Sequence, residues 1–213
     1  ILDSILFNDP EGRVACETLV TTNLVIISGE ISTIKHPDYE KIIRKTIKEI
    51  GYVDSSSGFS AENVEVKLYI DEQSPHIAQG VDGKEEREQG AGDQGLMFGY
   101  ACRETEALMP APIYLSHKIL RLMAEARHAH IIAGLGPDSK SQVTLKYQGG
   151  KPVGAASVVV STQHSAELTQ AEVREIVRPF VVEALPEGWM GPEQEFYVNP
   201  TGKFVVGGPD GDA

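Results

Sequence analysis

Two alternating apolar runs, one helical stripe and a third apolar run occur in that order twice along the chain, and this repetition constrains the fold more than any other feature. In the first copy, Arg13 to Val20 and Leu24 to Ser28 read as β-strands joined at Thr21-Thr22-Asn23, a hairpin. Tyr39, Ile42, Ile43, Ile47 and Ile50 then fall on one face of a helix. Pro37 suits the first helical position, Asp38 the positive end of the dipole and Gly51 the C-terminal cap. A fully buried isoleucine contributes roughly 1.5–3 kcal/mol, so four of them suffice to dock this helix on a sheet. Val64, Val66, Leu68 and Ile70 alternate with mostly polar neighbours, the pattern of a strand with one buried face.

The second copy keeps the order. Val143, Leu145 and Tyr147 alternate, Gly149-Gly150 turns the chain, and Ala155 to Val160 returns as a strand. A helix follows, opened by Thr169-Gln170-Ala171-Glu172, which fits a capping box. Its stripe is Val173, Ile176, Val177, Phe180 and Val181, and Pro179 is expected to kink it. Glu195 to Val198 closes the unit. The repetition predicts an α+β fold built from two ββαβ units, each a sheet with a helix layer. A longer helix from about Pro112 to His130 separates them, and a short one carrying Leu2, Ile5 and Leu6 precedes them, ending at Asp9-Pro10.

Between the units lies Gln73 to Gly95, 23 residues with five glycines and no apolar periodicity. Unstructured connections of this length are usually functional lids or plain linkers, and composition leaves both open. The expected organisation is a first unit over residues 1–72, a loop and glycine-rich motif over 73–103, and a second unit over 104–213. The chain opens on Ile1-Leu2-Asp3 and finishes on Gly207-Gly208-Pro209-Asp210-Gly211-Asp212-Ala213, which reads as a stretch of a longer polypeptide.

Charge narrows the partners. With 31 acidic residues against 19 basic ones the net charge is −12, a surface that repels nucleic acid and anionic membranes. Cys16 and Cys102 are too few for a disulfide scaffold, and no secretory signal or 18-residue apolar run is visible, which points to the cytoplasm.

Two phosphate-loop patterns occur in the wrong context. Gly90-Ala91-Gly92-Asp93-Gln94-Gly95 matches G-x-G-x-x-G, yet a charged loop precedes it and a strand-like Leu96 to Cys102 follows, where a dinucleotide fold needs a strand and then a helix. Gly134 to Ser141 resembles G-x-x-x-x-G-K-S with Ser139 in place of the second glycine, but it follows a helix and feeds a strand. His128 and His130 are two apart and read as a solvated helix end. No C-x-x-C and no Cys or Ser with a base at diagnostic spacing supports covalent catalysis. Glu17 and Glu30 stand in apolar strand settings, where a carboxylate is either exposed or, if buried, paired or bound to a cation.

The twelve residues Gly90 to Ala101, Gly-Ala-Gly-Asp-Gln-Gly-Leu-Met-Phe-Gly-Tyr-Ala, are far more specific than the glycine pattern within them. They resemble the signature of the S-adenosylmethionine synthase (methionine adenosyltransferase) family. Arg13 to Thr18, Gly29-Glu30-Ile31, Gln73-Ser74-Pro75, Gln79 to Asp82, Leu108 to Pro112 and Pro137-Asp138 with Lys140 to Val143 agree in order. So do Ser161 to Ser165, Asn199 to Gly202 and Gly207-Gly208-Pro209 with Gly211-Asp212, so that the resemblance runs the whole length of the chain.

The resemblance implies a pseudo-threefold arrangement of similar α/β units, two of them present here, with active sites between the subunits of a homodimer or of a tetramer made of two such dimers. It implies synthesis of S-adenosylmethionine from ATP and L-methionine, with hydrolysis of the released triphosphate to phosphate and diphosphate. Such chemistry needs no protein nucleophile, because the methionine sulfur attacks C5′ of ATP. The protein supplies alignment and charge, aided in the family by two Mg²⁺ ions and a K⁺ ion. By the same resemblance Glu17 matches the K⁺-site carboxylate, enclosed between strand apolars. Glu30 and Gln73 match methionine-contacting positions, and Gln73 opens a gate loop reaching about Gly83. Asp93 falls at the adenosine site. Asp138, Ser139 and Lys140 match an ATP-contacting segment, with Lys140 as phosphate partner. Lys203 and Phe204 match the nucleotide-side pair, where many relatives have Arg at the first position and so a bidentate fork that lysine lacks. Asp212 matches a carboxylate shared by ATP and methionine. The family's Ser-Glu-Gly-His-Pro-Asp-Lys segment, its Gly-Leu-Thr-Gly-Arg-Lys segment and its third unit have no counterpart in these residues. No catalytic residue is therefore assigned, and the 213 residues alone are expected to be inactive; the alternative reading is a non-catalytic homologue that only dimerises or binds nucleotide.

Overall fold

The computed structural model describes residues 1–54, 57–74, 90 and 94–211, and divides into two compact units, Ile1–Phe98 and Gly99–Gly211. Each contains the expected ββαβ arrangement, and the fold is α+β.

In the first unit, helix α1 (Leu2–Asn8) leads into strands β1 (Arg13–Thr21) and β2 (Leu24–Ser32), helix α2 (Tyr39–Ile50) and strand β3 (Glu65–Asp71). The hairpin turns over Thr22-Asn23, with Asn23 in the left-handed region at φ 55°. β1 pairs antiparallel with β2, and β3 lies parallel to β2 on its other side, since a helical crossover returns the chain in the same direction. Pro37 lies outside α2. Asp38 is the N-cap, its carboxylate accepting from the Lys41 N–H at 3.0 Å, and Gly51 closes the helix in the left-handed conformation.

Only Ile43 and Ile47 of the α2 stripe are fully buried, packed against Val25 and Ile27; Ile50 is 45% exposed because three strands are too narrow to cover the whole stripe. The same narrowness leaves Leu68 exposed, and only Ile5 of the α1 stripe is buried. Asp9, directly after α1, is buried and accepts from the Ile34 N–H at 2.9 Å and the Thr33 hydroxyl at 2.8 Å, tying α1 to the chain that leaves β2.

The second unit begins with α3 (Ala111–His128), followed by β4 (Leu135–Gln148), β5 (Lys151–His164), α4 (Gln170–Ala184) and β6 (Phe196–Val198). The strands order as β4-β5-β6, again antiparallel and then parallel. The hairpin is much longer than its apolar alternation indicates. Pro137 to Lys140 interrupt the pattern, yet the strand runs past them: the ladder shifts register between Leu135 and Ser139, leaving Pro137 and Asp138 without partners on β5, and resumes at Ser139 and Lys140.

Thr169 and Glu172 form the full capping box, and α4 runs through Pro179 as one helix. Val173, Val177 and Val181 are fully buried with Ile119 of α3 and Val158, Val160 and Phe196 of the sheet. A short 3₁₀ turn over Glu193–Glu195 replaces the start of the expected last strand. Leu96 to Cys102, read from sequence as strand-like, pairs with no strand among the described residues, and Leu96, Met97 and Phe98 are almost wholly exposed. His128 and His130 are exposed at the end of α3, as a solvated helix end should be.

Two outcomes test this account. Ile119→Ala is expected to lower stability by about 2–5 kcal/mol in urea unfolding, whereas Ile113→Ala, on the exposed side of the same helix, costs under about 1 kcal/mol. The Ile34 N–H and then the Thr33 hydroxyl hold the Asp9 carboxyl below its ordinary value of 3.8. The contribution is therefore complete above that value and lost as pH falls through the lower native one. Asp9→Asn should accordingly lower the urea midpoint near neutral pH and lose that deficit in acid.

Candidate functional site

β-Strand periodicity decides which predicted residues meet. On β4, Asp138 and Lys140 are two apart and share a face, while Ser139 takes the other. Ser139 turns toward the helices: its hydroxyl pairs with that of Thr162 at 2.7 Å, and it lines a 220 Å³ cavity with Leu120 and Met123 of α3. Its side chain is thus separated from Lys140, although the three residues adjoin in sequence.

On the open face, Lys140 lies opposite Ser161 of β5 in the ladder. These two, with Thr201, Lys203, Phe204, Val205 and Val206 from the segment after β6, line a cleft of about 510 Å³. The cleft brings together Lys140, Lys203 and Phe204, three positions singled out by sequence. Among the described residues neither lysine meets a carboxylate within ion-pair distance. Two unneutralised ammonium groups facing one cleft, in a chain of net charge −12, favour an anionic ligand there.

The segment carrying Lys203 and Phe204 has no regular structure, so its placement depends on side-chain bonds from the sheet. Asn199, buried and left-handed at φ 44°, accepts from the Thr162 N–H at 2.8 Å and donates to the Thr162 carbonyl at 3.0 Å. Gln163 donates through Nε2 to the Val205 carbonyl at 3.1 Å. His164, 2% exposed, donates its backbone N–H to the Phe204 carbonyl at 2.9 Å, and its Nε2 accepts from the Phe204 N–H at 3.1 Å. Asp138 accepts from the Gly208 N–H at 2.9 Å and so ties the end of the segment to β4. Asp138 therefore acts on the backbone beside the cleft. Gln163, His164 and Asn199 belong to quoted motifs but had no role assigned; the available signal was polar residues placed in or beside buried strand positions.

In the first unit, Glu17 is exposed on β1, opposite Ser28, rather than enclosed. Glu30 is exposed near the end of β2, opposite Ala15 and beside Asp71 of β3. Gly29 precedes Glu30 at φ 146°, where a Cβ would run into the Ala15 carbonyl oxygen, so only glycine fits. Gln73 follows β3, and its Oε1 is buried with no hydrogen-bond partner among the described residues. Asp93, Asp212 and the gate loop beyond Ser74 lie outside the described residues. Among the described residues no three His, Cys, Asp or Glu side chains gather as metal ligands, so these residues do not by themselves build a cage for Mg²⁺ or K⁺. Cys16 and Cys102 are free thiols. No helix among the described residues is long and apolar enough to cross a membrane.

Residues 88–204 match the S-adenosylmethionine synthetase central domain, and residues 1–75 match the N-terminal domain of the same enzyme. The chain belongs to the S-adenosylmethionine synthetase family. It is 58% identical over 215 aligned residues to S-adenosylmethionine synthase 2 of Rhodospirillum rubrum, covering all of this chain and 54% of that protein. It is 54% identical to the S-adenosylmethionine synthase of Rhodospirillum centenum and 55% identical to that of Paramagnetospirillum magneticum, in each case over all of this chain and 55% of the relative. The chain thus spans about half the length of these relatives.

Asp138→Ala is expected to release the 207–211 segment while leaving the ladder intact. Amide exchange at Gly208 should accelerate by about an order of magnitude, with Val158 and Val160 unchanged.

Proposed function

We propose that the protein is a methionine adenosyltransferase that joins ATP to L-methionine, with the cleft beside β4 and β5 receiving the nucleotide. The observation carrying this reading is the pair of unneutralised lysines, Lys140 and Lys203, beside the Phe204 ring in one cleft. Lys140 and Lys203 neutralise the triphosphate, and Phe204 offers its ring to the adenosine. The methionine sulfur attacks C5′ in line, the C5′–O bond breaks, and the triphosphate leaves; water then splits it into phosphate and diphosphate. Alignment and charge supply the rate enhancement, and no covalent intermediate with the protein is needed.

Methionine is read by Glu30, for its ammonium group, and by Gln73. A buried acceptor without a donor carries a desolvation cost, which supports an N–H group of the substrate as the partner of Gln73 Oε1. Asp93 at the adenosine and Asp212 between the two substrates complete the proposed contacts, with Glu17 as a K⁺ ligand. Mg²⁺ and K⁺, when bound, neutralise phosphate charge. A second copy of the chain is the proposed partner, since the face of the first sheet away from α2 exposes Leu19 and Tyr69. The cytoplasm is the proposed location.

The deciding experiment mixes the purified full-length protein with ATP, methionine, Mg²⁺ and K⁺ and detects S-adenosylmethionine by mass spectrometry. Lys140→Ala is expected to cut kcat/KM by about tenfold or more, the scale of one lost charge-assisted contact. Unchanged turnover and ATP affinity would remove Lys140 from the site. ATP binding without product would favour the non-catalytic reading.

A further inference from the structure

We propose that His164 is a positioning residue for nucleotide binding, holding Phe204 and Lys203 at the cleft through a single neutral tautomer. The inference rests on the reading of the cleft as the nucleotide site and extends it to a residue that does not line the cleft.

Three observations carry it. His164 is 2% exposed at the end of β5, away from the solvent that would otherwise satisfy its ring. Nε2 accepts from the Phe204 N–H at 3.1 Å, so it holds a lone pair, and the ring proton belongs on Nδ1. Nδ1 stands 2.8 Å from the Ser165 carbonyl, an acceptor for that proton. Each ring nitrogen therefore has a partner suited to one tautomer only.

The backbone adds a second bond between the same residues, from the His164 N–H to the Phe204 carbonyl at 2.9 Å. Phe204 is thus gripped at both its N–H and its carbonyl by one strand residue, a pairing otherwise made between two strands. Phe204 and the adjacent Lys203 both line the cleft, whereas the neighbouring Gly202 sits at φ 108° and imposes little stiffness of its own. Without the Nε2 bond, the Phe204 N–H loses its partner and the ring and ammonium lose their fixed starting point. ATP must then order them on binding and binds more weakly.

The test compares His164→Gln, whose side-chain carbonyl can reach the Nε2 position, with His164→Leu, which has no acceptor. Imidazole ¹⁵N shifts of the wild-type protein should show a proton on Nδ1 and none on Nε2. In His164→Leu, amide exchange at Phe204 should accelerate while Val158 and Val160 stay protected, and ATP affinity by calorimetry should fall about three- to tenfold, the worth of one hydrogen bond. His164→Gln should restore both. If His164→Leu does not fold, His164→Asn takes its place, since its shorter amide cannot reach the Phe204 N–H. Faster exchange at Phe204 with full ATP affinity would overturn the proposal, as would weakened affinity that glutamine does not rescue. Wild-type protein that binds no ATP would overturn the cleft reading and this proposal with it, an outcome recognised because it requires no substitution.

Discussion

The irregular segment after β6 depends on hydrogen bonds donated and accepted by the end of β5. Strand pairing ends at Val160–Val198, and beyond it side chains take over the backbone's role. Asn199 offers Thr162 an acceptor and a donor as another strand would, Gln163 holds the Val205 carbonyl, and His164 holds Phe204. Buried polar groups are costly when unpaired, so this network specifies one conformation for a stretch that has no apolar core of its own. Lys203 and Phe204 reach the cleft as a consequence.

Most of that network continues the buried face of the sheet, where Thr162 and His164 follow Val158 and Val160 along β5. Val158 and Val160 pack with α3 and α4, and the same β5 strand sends Ser161 outward to the cleft and Thr162 inward to Asn199. A single period-2 strand thereby carries the hydrophobic core on one side and the candidate site on the other. The first unit uses the same plan with a smaller core, and its outward face carries Glu17 and Glu30.

The architecture was legible in the sequence because burial period is a local property. The α2 and α4 stripes, the Asp38 cap, the Thr169–Glu172 capping box and the two hairpins all follow from residues within one turn or one ladder of each other. The lengths of β4 and β5 were not, because Pro137 to Lys140 lack alternation, and the ladder bridges Pro137 and Asp138 by a register shift before pairing resumes at Ser139 and Lys140. The number of buried residues in α2 also escaped, since it depends on the width of the sheet beneath it. Leu96 to Cys102 has strand-forming residues but no strand beside it among the described residues, and propensity alone does not supply a partner.

The sequence by itself determined the α+β class, the twofold ββαβ order, the family and the identity of the lysines and phenylalanine at the cleft, because each is written in periodicity or in contiguous motifs. Only the tertiary structure decided that Asp138 serves the Gly208 backbone, that Ser139 faces the helices while Lys140 faces the cleft, and that Glu17 is exposed. It alone brought His164 to Phe204, forty residues on. Such pairings depend on the register of the ladder and on which face each residue occupies, and a one-residue change of register would reverse every one of those faces.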